Sequence, residues 1–187
     1  METTILPTLI TSVITIIGFI ISYILIVKQK KLAIQQHKNE WQIEKLAEIL
    51  EDILDMISEC EILLAGSNIN KKKFEERKKK IENITICYGS NNAVKIWNYF
   101  NSLVDGGRND EIEVDNIQII APLVLLLMQI KYDITDIKTS PKAWYIHYAS
   151  QELLKTGFYD KSMVQINTLV DILNLPIFFK IIDNSIY

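Results

Sequence analysis

The longest uniform feature of the chain is an apolar stretch near its N-terminus. Residues Ile5 to Val27 are 23 positions without a charged side chain. As an α-helix they would be roughly 34 Å long, enough to cross the hydrocarbon layer of a bilayer. The chain begins Met1-Glu2, without the basic region and small-residue cleavage site of a signal peptide. The pattern therefore predicts that residues 1–27 form one uncleaved transmembrane segment.

Basic residues follow this stretch and do not precede it. Lys28, Lys30, Lys31 and Lys38 come after it, and the lysine-rich flank of a membrane helix usually faces the cytoplasm. We therefore expect a single-pass protein of the inner (plasma) membrane. Its N-terminus would lie outside, and residues 28–187 would form a cytoplasmic domain.

Beyond residue 28, apolar side chains recur every three or four positions, as they do on amphipathic helices. The first such pattern predicts a long juxtamembrane helix over 28–65, which ends before Gly66. A second helix is predicted over 70–88, with Gly89 ending it and Ser90 capping the next one.

A strongly apolar pattern over 114–137 predicts the central helix of the domain, with a kink at Pro122. Its continuous apolar run is only about 12 residues, too short for a second span. Two further helices are predicted, one opening at Ser140-Pro141 and one over 161–173. The end of the chain, 177–182, fits either a packed tail or a strand. The expected fold is all-α: one transmembrane helix followed by a cytosolic helical bundle.

Small and hydroxyl-bearing residues inside the apolar stretch fall on one side of a helical wheel, at about 100° per residue. Such residues let membrane helices approach closely and hydrogen-bond, so one interpretation is self-association into a homo-oligomer. Another is that the same face lines a pore. The face consists of Thr8, Thr11, Ser12, Thr15, Gly18 and Ser22.

A dense basic run occupies 71–80. One explanation is charge pairing with the acidic stretch 51–61 on the preceding helix. The other is a phosphate-binding surface for a nucleotide or oligonucleotide, with aromatic rings on which bases stack. The candidate ligand-binding residues are Lys71, Lys72, Lys73, Arg77, Lys79, Trp144 and Tyr148. For the aromatic rings the alternative is burial in the core, which is where most aromatic side chains lie.

Motifs of catalytic and metal centres are missing from the sequence. Cys60 and Cys87 are isolated, and neither His37 nor His147 has an evident partner for zinc binding or nucleophilic catalysis. There is no P-loop and no GxSxG motif. We therefore expect no enzymatic activity, no cofactor and no metal.

This plan resembles the small membrane effectors of bacterial anti-phage defence, and among them the Hailong-type effectors. The residues that carry the resemblance are the face from Thr8 to Ser22, the helical domain and the basic run Lys71 to Lys80. The resemblance implies a nucleic-acid-like signal made by a partner nucleotidyltransferase. It also implies tetramers whose membrane helices form an ion channel that depolarises the membrane.

The expected function is therefore an oligomeric membrane effector, a nucleotide- or oligonucleotide-gated channel in anti-phage defence. The alternative is a passive membrane-anchored adaptor whose bundle binds a partner protein.

Overall fold

The computed structural model describes the backbone of residues 5–64, 68–107, 116–147 and 157–182, and most of their side chains from Ser22 onward. These residues form α-helices and one short 3-10 turn, with no β-strand among them, so the predicted all-α bundle is confirmed. The elements are α1 (Ile5–Ala47), α2 (Leu50–Leu64), α3 (Lys71–Tyr88), α4 (Asn91–Gly107), α5 (Asn116–Thr135), α6 (Lys142–His147), α7 (Phe158–Ile172) and the 3-10 turn (Ile177–Phe179).

The chain divides into two compact units, Met1–Gln42 and Ile43–Tyr187. The first contains most of α1, and the second contains the helices from α2 onward. The sequence predicted a boundary at residue 27, where the apolar stretch ends. The compact helical domain begins later, at Ile43.

The single helix predicted over 28–65 consists of two helices in the structure. α1 ends at Ala47 and α2 begins at Leu50. Between them the Ile49 N–H donates to the Leu46 carbonyl at 3.4 Å, a bond of the tighter 3-10 type. The interruption has no Gly or Pro nearby in the sequence.

The central position predicted for the strongly apolar helix is confirmed. α5 packs against α2, α4 and α7, and every residue from Ile120 to Ile130 is buried. The helix continues through Pro122 as one element. Burial on all sides explains why its apolar residues are not confined to one face.

Among the residues whose side chains are described, one helix is long and apolar enough to cross a membrane. It is α5, over Gln118–Thr135. That test considers length and composition only, and 61% of this stretch is buried inside the bundle. The structure does not show the predicted N-terminal span, because the side chains of residues 5–21 lie outside the described part.

The corner between α3 and α4 is as predicted. Gly89 follows the last turn of α3, and its N–H donates to the Thr85 carbonyl. A Cβ atom at Gly89 would lie 2.6 Å from that carbonyl oxygen. The Ser90 hydroxyl accepts the Ala93 N–H at 3.3 Å, which caps α4, and Asp133 of α5 accepts the Ser90 N–H at 3.1 Å. This corner fixes α4 on the central helix.

The C-terminal segment packs as a tail, which settles the two alternatives for 177–182. Phe179 and Ile181 are buried, and the Asn167 side chain of α7 pairs with both backbone polar groups of Ile181. The backbone groups of Ile181 are thus paired with a side chain, and the N–H groups of Phe179 and Lys180 donate to the Pro176 and Ile177 carbonyls within the 3-10 turn.

Candidate functional site

α3 carries the basic run and distributes it over several faces. The helix begins after Asn70, whose side chain accepts the Lys73 N–H at 3.2 Å. It packs against α2 on one side and α4 on another. Its buried residues are Lys78, Ile81 and Thr85. The basic residues therefore have different surroundings, although they are adjacent in sequence.

Arg77 is bound by three carboxylates on one face of α2. Its guanidinium lies 2.5 Å from both Asp55 and Glu59 and 3.8 Å from Asp52. Partial burial opposes the charged form, but the hydrogen bond to Glu59 and the nearby acidic charges outweigh this effect and raise the pKa of Arg77. Arg77 is thus engaged within the bundle, with 11% of its side chain exposed.

Two lysines of the run also pair with other helices. Lys80 Nζ lies 2.7 Å from Asp52 Oδ2 and 3.4 Å from the backbone carbonyl oxygen of Glu48. Lys78 is buried and lies 3.4 Å from Asp105 of α4. The predicted charge pairing between the basic run and the acidic stretch is therefore confirmed for Arg77 and Lys80.

The remaining lysines of the run face solvent. Lys71, Lys72, Lys73 and Lys79 are exposed, and Lys72 makes one long, exposed pair with Glu76 at 3.9 Å. An exposed pair of this kind contributes little stability. Lys71, Lys73 and Lys79 form no ion pair with another described residue. Of the predicted ligand-binding residues on α3, these four lysines remain available to an anion.

An open cleft of about 350 Å³ lies between α2 and α3. Carboxylates outnumber cations in its lining, so the cleft itself does not offer a positive field to a phosphate group. Of the exposed lysines, Lys73 lies at this cleft, whereas Lys71, Lys72 and Lys79 lie on α3 outside its lining. The cleft is lined by Glu51, Asp52, Asp55, Lys73, Glu76, Arg77 and Lys80.

The predicted aromatic part of the site is not brought to the surface. Trp144 is 2% exposed, and its ring packs edge-on against Tyr145 with centroids 4.8 Å apart. A base could not stack on it without opening the bundle. Tyr148 lies outside the described residues. The structure therefore gives no support to Trp144 as a stacking platform.

The hydroxyl-bearing face of the N-terminal stretch is only partly described. α1 covers all its positions as one helix, but the side chains of Thr8, Thr11, Ser12 and Thr15 and the surroundings of Gly18 lie outside the described part. Ser22 is exposed. The one-sided arrangement remains a prediction from the spacing of these residues.

Sequence reasoning predicted pairing with the stretch 51–61 but did not assign two details of the site: which acids share Arg77, and what else Lys80 contacts. The acids Asp52, Asp55 and Glu59 have the spacing of one helix face, so the sequence contained a signal for a shared partner. The sequence contains no such signal for the contact of Lys80 with the Glu48 carbonyl, because that contact depends on how α3 packs against α2.

The described residues include no group of three or more His, Cys, Asp or Glu side chains that could hold a metal ion. Burial raises the pKa of the Cys60 thiol to about 12, and the charges of Glu59 and Glu61 add to this effect. Cys60 is thus a protonated core residue at neutral pH and not an activated nucleophile. No protein-family model matches the chain, and no curated protein or solved structure matches it.

Proposed function

We propose that this protein is an oligomeric, single-pass membrane effector: a nucleotide or oligonucleotide binds its cytoplasmic bundle and opens or closes a channel formed by its membrane helices. The observation that carries the proposal is α1, one helix over Ile5–Ala47 that includes the 23 uncharged positions. Its described apolar side chains from Tyr23 to Val27 are between 49% and 70% exposed. A continuous apolar surface of this kind is stable in a bilayer or against further copies of itself.

The hydroxyl-bearing face supports association of these helices. Lipid is as apolar as the Ile-rich opposite face, so the face with small and hydroxyl groups is the one that gains from contact between copies. In a ring of copies the same face would surround the axis. Thr15 lies near the middle of the stretch and is the position at which a bulky side chain would close such a path.

Replacing Thr15 with leucine is expected to abolish ion flux without preventing insertion, because leucine fills the path and remains compatible with lipid. The measurement is membrane potential, followed with a voltage-sensitive dye during over-expression. Wild-type protein should depolarise the cells and Thr15→Leu should not. Ile17→Leu, about 200° from Thr15 on the helical wheel and therefore on the opposite face, is the matched control and should behave as the wild type. Depolarisation by Thr15→Leu equal to wild type would count against a pore.

The exposed lysines of α3 support an anionic ligand. Phosphate groups attract accessible cations, and each contact releases counterions, so binding should weaken as the salt concentration rises. Lys72, Lys73 and Lys79 are accessible, whereas Arg77 is occupied by carboxylates.

Charge reversal of these three lysines to glutamate is expected to weaken binding of a short fluorescent oligonucleotide at least about tenfold, since phosphate contacts dominate such affinities. Fluorescence anisotropy at two salt concentrations would measure it. The matched control reverses Lys95, Lys138 and Lys161, which lie outside α3 and change the net charge equally. Equal affinity of the two triple variants would show that α3 is not the binding surface.

A passive membrane-anchored adaptor is the second candidate. The observation in its favour is that Arg77, Lys78 and Lys80 are already paired with acids of the bundle, which leaves fewer charges for a ligand. An adaptor whose bundle binds a partner protein should not depolarise the membrane in any variant. The dye experiment therefore separates the two functions.

A further inference from the structure

The helix is interrupted between α1 and α2, at Glu48 and Ile49, and we call this interruption the joint. The residues at the joint are not ones that normally end a helix. Helices often end at Gly, or just before Pro. The sequence from Phe19 to Ala65 contains neither residue. At the joint itself the chain reads Leu46-Ala47-Glu48-Ile49-Leu50, and these residues are tolerated or favoured inside helices.

The spacing of the apolar residues also continues through the joint as it would along a single helix. Leu46, Ile49, Ile53 and Met56 are fully buried, and their spacing of three, four and three is that of one continuous helix face. A helix without the interruption would bury the same side chains. The spacing of the buried residues is thus compatible with a continuous helix as well as with the interrupted one.

At the joint, a lysine side chain competes with a backbone N–H group for the Glu48 carbonyl oxygen. In a continuous helix the Glu48 carbonyl would accept the N–H of Asp52. In the structure the Lys80 ammonium lies 3.4 Å from this carbonyl oxygen and 2.7 Å from the Asp52 carboxylate. Helices bend where a side chain inserts into the ladder of backbone hydrogen bonds, and Lys80 occupies that position.

We propose that the joint is a two-state element controlled by Lys80. While Lys80 contacts the Glu48 carbonyl and Asp52, the helix is interrupted; when Lys80 is withdrawn, Ile43–Leu64 becomes one continuous helix. All of these residues belong to the same compact unit. An anion that takes Lys80 from Asp52 would favour the continuous form. The effect of an anion on the joint rests on the proposed function, whereas the control of the joint by Lys80 does not.

Hydrogen exchange of the full chain in detergent, without any ligand, tests the joint. Lys80→Met keeps the apolar stem and removes the ammonium group. It should slow exchange of the backbone amides of residues 50–52 on the order of tenfold, because these amides gain helical partners. Lys79→Met is the matched control, since Lys79 is exposed and forms no ion pair with another described residue. It should exchange as the wild type does.

Unchanged or faster exchange at residues 50–52 in Lys80→Met would overturn the two-state joint. Retained protection of the α5 amides shows in the same data that the bundle is folded. Lys80→Leu, which also lacks both the charge and the hydrogen-bond donor, repeats the test with a shorter side chain and should give the same direction. Failure here leaves the channel proposal standing, because the membrane potential and oligonucleotide measurements do not depend on it.

Discussion

Trp97→Ala is expected to lower the free energy of unfolding by about 4 kcal/mol, the range for truncating a buried aromatic ring. Trp97 lies on α4, is fully buried and packs against Phe100 with ring centroids 5.1 Å apart. α4 contacts the central helix α5, so the cavity would open in the main core. For a domain of this size the loss corresponds to a fall in Tm of roughly 10 °C.

Trp97→Phe is the matched variant for this prediction. The Trp97 Nε1–H group is buried and has no hydrogen-bond partner among the described residues, so phenylalanine loses no bond and leaves a smaller cavity. We expect a cost below about 1.5 kcal/mol. Thermal and urea unfolding of the full chain in mild detergent, followed by circular dichroism, would measure both variants. A Trp97→Ala protein no less stable than Trp97→Phe would contradict the position of α4 in the core.

The second large effect is expected at Arg77. Arg77→Met would leave Asp52, Asp55 and Glu59 together without their cation and should cost about 2 kcal/mol. This is less than the 3–5 kcal/mol typical of a fully buried pair, because Asp55 is 48% exposed and solvent screens the cluster. Methionine retains an apolar stem, so the loss in free energy of unfolding comes mainly from the missing positive charge.

Two comparisons sharpen the Arg77 prediction. Combining Arg77→Met with Asp55→Asn and Glu59→Gln should recover most of the stability, since removing a whole ion cluster is often nearly neutral. Lys79→Met, at an exposed lysine of the same helix, should change stability by less than about 0.5 kcal/mol. If Arg77→Met unfolds at the same urea concentration as Lys79→Met, the cluster does not stabilise the contact between α2 and α3.

Local signals explain what could be predicted of the fold. Gly89 and Ser90 mark the corner between α3 and α4 because a Cβ atom would clash at the first and a hydroxyl caps the helix at the second. The central helix was recognisable because Ile119 to Met128 are all apolar and cover every side of a helix. The interruption after Ala47 was not predictable, since its cause is a lysine located 33 positions further along the chain.

The candidate site was predictable only in outline. The charges of α2 and α3 indicated that the two helices pair, but sequence alone could not assign Arg77 and Lys80 to internal pairs and Lys79 to solvent. Trp144 illustrates a general difficulty. Aromatic rings suit both cores and binding surfaces, and only packing shows that this ring is buried.

The burial of α5 also bears on how the protein is made. A segment as apolar as Gln118–Thr135 resembles a membrane helix when it leaves the ribosome. Two of its partners, α2 and α4, precede it in the chain, so their apolar faces are already synthesised when it emerges. Synthesis order therefore favours folding of α5 against its neighbours over its insertion into the membrane as a second span.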